Sequence, residues 1–175
     1  MIPAAAILRT QDTVTVLALL DKAAAWLVAQ GRTGQWGTGR QATDPRRIAM
    51  ARKWAESGGL YLAWLDGTPV GALAVGEAPA YAGLATEPEL YVNLLVTDRD
   101  HAGKGIGGAL LEHARELAEA AGKHLLRLDC YAGGDGALVR YYESQGYTAT
   151  ESITVDTPSG PWPGQILVRL LRLAA

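Results

Sequence analysis

The sequence predicts a mixed α/β fold, with strands and helices in an order closer to α+β than to a repeated βαβ array. Two kinds of segment carry this prediction: apolar residues at helical spacing, and short apolar runs bounded by turn residues. Their order is the third observation. It runs strand, two helices, three strands, helix, strand, helix, two strands, which calls for hairpins and crossovers in one sheet.

The opening "MIPAAAILRT" has a short apolar run and no basic lead, so it reads as a first strand and not as a signal peptide. In "DTVTVLALLDKAAAWLVAQG", Val16, Leu19, Leu20, Ala23, Ala24 and Leu27 fall at helical spacing, with Gly31 as the stop. "GRTGQWGTGRQAT" is a glycine-rich loop holding Trp36. Asp44 as N-cap and Pro45 in the first turn open a second helix. "LYLAWLDGTPVGALAVGEA" reads as a hairpin about Asp66-Gly67. After the loop "PAYAGLATEP" comes the strand "ELYVNLLV". Glycines at 103, 105, 107 and 108 then precede a helix with Ile106, Leu110, His113, Ala114, Leu117 and Ala121 on one face. Its other face carries Glu112, Arg115, Glu116 and Glu119. "KHLLRLDCYA" is a buried strand, and "GDGALVRYYESQ" is a helix stopped by Gly146. "YTATESITVD" and "GQILVRLLRL" are strands around the turn "TPSGPWPG". No repeat and no linker interrupts this order, so residues 1–175 are expected to form one domain.

The bulk properties narrow the function classes. The chain has 175 residues, 49% apolar and 19% charged, a globular composition. A chain of this size buries roughly 70% of its unfolded surface. The net charge of −2 offers no general field for nucleic acid or for an anionic membrane, and neither partner is expected. No apolar run has the length of a membrane span, so a cytoplasmic protein is expected, as monomer or homodimer. The single cysteine, Cys130, excludes an internal disulfide and a cysteine metal cluster. His101, His113 and His124 lack metal-ligand spacing, so no metal is expected.

The glycines at 103–108 lie where a strand hands over to a helix. Amide N–H groups there have no helical partner, the helix dipole favours an anion, and glycine lets the backbone approach it closely. This is a physical case for a phosphate cradle. A Walker loop is excluded, because no lysine in the required frame precedes Ser or Thr. A dinucleotide fingerprint does match at Gly103, Gly105 and Gly108, with Asp129 as the ribose acid. Against it, "TDRDHA" separates Val96 from Gly103, and the motif does not open a βαβ array. A dinucleotide-binding oxidoreductase is therefore the weaker alternative.

The segment "LLVTDRDHAGKGIGGALLEHA" resembles the coenzyme A motif of the GNAT superfamily of N-acetyltransferases, Arg/Gln-x-x-Gly-x-Gly/Ala after a strand. Gly105 and Gly107 keep the frame. Ala102 stands where Arg or Gln is usual, which leaves the bracing of the loop to His101 or Arg99. A second family element resembles "DGALVRYYESQGY", with Asp135 in place of Asn and with Tyr142, Glu143, Gly146 and Tyr147 in frame. The resemblance implies a mostly antiparallel sheet of about six to seven strands with helices on both faces. It also implies transfer of an acetyl group from acetyl-CoA directly to an amine, small-molecule or peptide, in a ternary complex.

On this resemblance the pyrophosphate is held across Ala102, Gly103, Lys104, Gly105, Ile106, Gly107 and Gly108, with Lys104 as a local cation. Asp135 adds to the donor site. The pantetheine arm pairs with the main chain of Leu94, Leu95 and Val96, and an N–H near Leu95 polarises the thioester carbonyl. Tyr142 is implied as the acid toward the leaving thiolate. Strand alternation puts Glu89, Tyr91, Asn93 and Leu95 on one face, making Glu89 the candidate base and Tyr91 and Asn93 acceptor contacts. Trp36 either walls the acceptor pocket or caps the first two helices. Cys130 is expected to be a structural thiol. A non-catalytic acyl-CoA-binding module is the alternative within the same fold.

Overall fold

The computed structural model describes residues 4–172. Seven strands form one sheet: β1 (Ala6–Arg9), β2 (Leu60–Leu65), β3 (Thr68–Gly76), β4 (Glu89–Thr97), β5 (Leu125–Tyr131), β6 (Thr148–Thr157) and β7 (Gly160–Leu170). Their order is β1-β2-β3-β4-β5-β7-β6. Neighbours are antiparallel except β4 and β5, which run parallel. A parallel pair needs a crossover, and α3 (Ile106–Ala120) supplies it. The other helices are α1 (Thr13–Ala29), α2 (Pro45–Glu56) and α4 (Ala137–Ser144). No helix among the described residues is long and apolar enough to cross a membrane.

Local chemistry sets the element ends. The Asp12 carboxylate accepts the Thr15 N–H at 3.0 Å and caps α1. Asp44 accepts the Arg46 N–H at 2.9 Å, and Pro45 starts α2. Asp66 and Gly67 are both left-handed, at φ 49° and 76°, which matches the twist of the β2–β3 hairpin.

The helices cover opposite faces of the sheet. Val16, Leu20, Ala51 and Trp54 of α1 and α2 pack on Leu60, Leu62, Ala72 and Leu94. Leu110, Leu111, Ala114 and Tyr142 of α3 and α4 pack on Leu73, Val92, Leu126 and Leu128.

Three expectations are corrected. Ala121 lies beyond the last turn of α3 and is exposed, and Ala118 takes its place in the core face. The final turn is much tighter than "TPSGPWPG": β7 already begins at Gly160, with Pro161 and Pro163 inside it. Gly164 pairs with Tyr131, the last residue of β5, so the prolines lie past that strand's end, where no ladder needs their missing N–H. The third correction concerns β4. Its register on β3 passes from Ala74↔Leu94 to Val75↔Val92, leaving Asn93 as a bulge. The extra residue reverses the alternation. Val92 faces α3, whereas Leu94 and Val96 face α1. Leu95 consequently joins the α3 side and does not share a face with Glu89 and Tyr91.

Candidate active site

The parallel pairing of β4 and β5 stops at Val92↔Leu128, although β4 continues to Thr97 and β5 to Tyr131. Beyond that point the two strands share no ladder, and residues 93–97 keep one main-chain edge free. The split opens at the carboxyl ends of two parallel strands, the usual place for a ligand in an open sheet. Asn93 and Asp129 flank its fork. The Asn93 Nδ2 donates to the Glu77 carbonyl at 3.0 Å, while its Oδ1 is buried with no donor. Such an orphaned acceptor is costly unless a water or a ligand N–H meets it.

The glycine loop lies at the far end of β4. Gly103 and Gly105 are left-handed, at φ 79° and 71°, and a Cβ on either would meet open space. Backbone conformation, not crowding, demands glycine there. Gly105 is the N-cap of α3 and offers no side-chain acceptor, so the first amides of the helix stay available. Gly107 is different: a Cβ there would collide with the Tyr141 hydroxyl. Ala102 and Lys104 are exposed, and Ile106 and Leu95 belong to the α3-side core.

Of the residues expected to brace the loop in place of a side chain at position 102, Arg99 reaches α1 directly, and His101 bonds Asp98, which Lys22 of α1 also holds. The Arg99 guanidinium lies 3.8 Å from the centre of the Trp26 ring. His101 Nδ1 is 3.3 Å from Asp98, and Lys22 Nζ is 2.8 Å from Asp98 and 2.6 Å from Asp100. Burial pushes the Asp98 carboxyl up, but the bonds from Lys22, the Asp100 N–H and His101 outweigh it and hold it below the usual aspartate range.

On the α1–α2 face, Asp129 is the carboxylate at the fork. Tyr81 donates to its two oxygens at 3.1 Å each, and Tyr91 makes a further short bond to Oδ1. Burial raises the Asp129 carboxyl above its ordinary value despite these bonds. Burial and the Asp129 charge raise both phenols well beyond theirs. Glu89 has other partners: Arg127 Nε and Nη2 take its two oxygens at 2.6 and 2.9 Å. The same guanidinium donates to the Ala82 and Gly83 carbonyls at 2.6 and 2.8 Å, which fastens the loop that carries Tyr81.

Tyr142 enters from the α3 side. It is buried, beside Cys130 and in edge contact with Tyr141 and Tyr147. Burial lifts its hydroxyl well above a free phenol, so it stays protonated. Burial and the neighbouring Asp129 push the Cys130 thiol up to about 12, which leaves it a poor nucleophile. His113 packs edge-on against Tyr61, with ring centroids 4.8 Å apart. Asp135 accepts the Ala137 N–H at 3.0 Å at the start of α4. Trp36 is half-buried against the α1–α2 core. Its loop is tied to α1 through Asp21, which accepts the Ala42 N–H at 3.3 Å, and to β7 through Trp162, whose Nε1 donates to the Gln35 carbonyl at 3.0 Å.

A model of the acetyltransferase (GNAT) family matches residues 21–147, from within α1 to just past α4. The chain belongs to the GNAT family. It is an acyltransferase by that membership. An uncharacterised N-acetyltransferase of Bacillus subtilis strain 168, YesJ, is 27% identical over 143 residues, covering 78% of this chain and 77% of that one. Among solved structures, the putative acetyltransferase yncA of Salmonella typhimurium, determined with its cofactor acetyl-CoA, superposes with a TM-score of 0.69 at 19% identity. The match covers 99% of this chain and 97% of that chain. A ribosomal-protein-alanine N-acetyltransferase of Brucella melitensis gives a TM-score of 0.68 at 19% identity, over 95% and 99% of the two chains. At these identities the likeness is one of fold.

The GNAT assignment overturns the dinucleotide reading of Gly103, Gly105, Gly108 and Asp129. In this GNAT fold the strand before the glycines is flanked by the antiparallel β3, and the Asp129 oxygens bond two phenols. Sequence reasoning missed Asp129 as a candidate base and missed Tyr81 altogether. The available signal for Asp129 was alternation in "LLRLDCYA", which sets it on the face opposite Cys130 at the end of the strand parallel to β4. Nothing local marks Tyr81, which reaches Asp129 across 48 residues.

Proposed function

We propose that this GNAT enzyme transfers the acetyl group of acetyl-CoA directly to an amine bound on the α1–α2 face of the β4–β5 split. The observation that carries the reading is the split itself. A free main-chain edge at 93–97 lies between an orphaned buried acceptor on Asn93, a raised carboxylate on one face and a protonated phenol on the other.

Acetyl-CoA supplies an activated acyl group on sulfur. The residues of the chain divide the remaining work. The amides of Gly103–Gly108, with Lys104, hold the pyrophosphate. The edge Leu94–Leu95–Val96 pairs with the pantetheine arm, and an N–H of that edge polarises the thioester carbonyl. Asp129, not Glu89, accepts a proton from the ammonium of the acceptor, because Glu89 is ion-paired with the Arg127 guanidinium whereas the partners of Asp129 are two neutral phenols. The freed nitrogen bonds the acyl carbon as the carbon–sulfur bond breaks. The ammonium gives up two protons in all: one passes through Asp129 to water, and the other replaces the acyl group on sulfur. Tyr142 is the acid toward that sulfur. With its pKa raised well above a free phenol, full transfer to the less basic thiolate runs uphill, so it acts by donating a hydrogen bond while charge builds there. Tyr91 and Asn93 line the acceptor side, and Trp36 forms its lip.

Tyr142→Phe keeps the packing and removes the hydroxyl. The proposal expects kcat to fall on the order of 10²-fold with little change in KM for acetyl-CoA. A fully active Tyr142→Phe beside an inactive Tyr141→Phe would move the role to Tyr141.

A further inference from the structure

Resting on the proposed transfer at Asp129, the size of the acceptor can be read from what stands on either side of that carboxylate. Leu128 and Cys130 of β5 belong to the α3-side core, so alternation puts Arg127, Asp129 and Tyr131 together on the α1–α2 face. The outer two each hold a loop. Arg127 donates to the Ala82 and Gly83 carbonyls at 2.6 and 2.8 Å and fixes the loop before β4. At the other end the lip between α1 and α2 lies on Tyr131, where a Cβ on Gly34 would collide with the Tyr131 hydroxyl. Trp162 of β7 stands beside the same ring, with centroids 5.9 Å apart, and its Nε1 donates to the Gln35 carbonyl at 3.0 Å. The lip therefore crosses from α1 over the end of β5 to β7, and its backbone is pinned there. Asp129 lies midway between the two fastenings, about 7 Å along the strand from each.

We infer that the acceptor is a free small amine, reaching no more than about 7 Å along β5 from its nitrogen, and not the N-terminus or a lysine of a protein. An extended chain adds about 3.3–3.6 Å per residue, so the third residue of a peptide with its amine at Asp129 would run into one of the two loops. A lysine uses up the same length in its side chain and brings a main chain, running both ways, against those loops. To be acetylated, either would have to part Trp162 from Gln35 or Arg127 from its two carbonyls. A binding-competent state that is seldom populated lowers the apparent affinity in proportion.

The test uses matched pairs that differ only in length. A pool of amino-acid amides is compared with tetrapeptide amides sharing the same first residues, and butylamine with an N-terminally blocked tetrapeptide carrying one lysine. CoA release is followed with the parent enzyme and with Trp162→Phe, which keeps a ring beside Tyr131 and removes only the donor to Gln35. The parent should favour the short member of whichever pair it acetylates by at least about 10-fold in kcat/KM, since the long member must open a fastened loop. Trp162→Phe should cut that preference by roughly 2- to 10-fold, the worth of one neutral hydrogen bond. A parent that acetylates the peptides as well as the short amines, or a preference that Trp162→Phe leaves unchanged, overturns the inference and leaves amine acetylation standing, since product still forms. If acetyl-CoA binds and no amine of either length is acetylated, the proposed function falls and takes the inference with it.

Discussion

Replacing Asp129 by Asn separates catalysis from stability in a way that few substitutions here can. The change is isosteric, and the Tyr81 and Tyr91 hydroxyls can still donate to the Asn oxygen. What is lost is the group that accepts the amine proton, and a general base of this kind contributes about 10²- to 10⁴-fold. The expected fall in kcat is of that size. Stability should move the other way. The Asp129 carboxyl is raised in the folded protein above its ordinary 3.8, with burial the largest cause. A raised pKa gives stability that is fully present below pH 3.8 and lost as pH rises through the folded value. Above its folded value the protein carries the whole cost of the buried charge, and Asn removes it. The variant's Tm at pH 7 should equal or exceed that of the parent, and its advantage should vanish on acidification toward pH 4. In the pH profile of kcat/KM, the parent should show an acid limb that lies above pH 3.8, and Asp129→Asn should lose it. Glu89→Gln is the control. Arg127 would keep the Ala82 and Gly83 carbonyls but lose its charged acceptor, a cost of about 1–3 kcal/mol. For a chain of this size that is roughly 2–4 °C of Tm per kcal/mol. Steady-state CoA release and thermal melts on both variants decide the matter. An Asp129→Asn enzyme within about twofold of the parent, or a Glu89→Gln enzyme that loses turnover with Tm intact, would refute the assignment of the base.

Two further outcomes follow from the loop geometry. Gly105→Val forces a β-branched residue into φ 71° at the mouth of α3, so calorimetry should find acetyl-CoA binding abolished in a folded variant. Gly107→Val should also fail, but through the Tyr141 hydroxyl, so that Gly107→Val with Tyr141→Phe regains part of the affinity. Trp36→Ala should lower Tm by a few degrees, since the ring packs on the α1–α2 core, and should raise KM for the amine while KM for acetyl-CoA stays nearly constant. Equal loss of both affinities would remove Trp36 from the acceptor wall.

Most of the fold was legible in the sequence because its local signals agree with one another. Asp44-Pro45 opens α2, Asp66-Gly67 turns the hairpin, and the glycine run precedes α3 where the helical pattern starts. The proposed donor side rests on the same kind of signal, since it is built from contiguous residues. The acceptor side was not. The bulge at Asn93 is a property of β4 against β3, invisible in "ELYVNLLV", and it undoes the simple alternation that grouped Leu95 with Glu89. Glu89 looked free along its own strand, but its partner Arg127 lies on β5. Asp129 acquires its meaning from Tyr81 and Tyr91, whose distance in sequence leaves no local trace. The prolines of β7 misled for a related reason: their tolerance depends on where β5 ends.

The central claim is direct transfer at the split, without acetylation of the protein. It is tested by quenching mixtures of enzyme and acetyl-CoA, with and without an amine acceptor, and weighing the protein and the small molecules by mass spectrometry. The account predicts that CoA appears only when the amine is present, in equal amount to an N-acetylated product, and that the protein mass never changes. CoA release without amine, or a protein that gains an acetyl group at Cys130 in step with turnover, would contradict it.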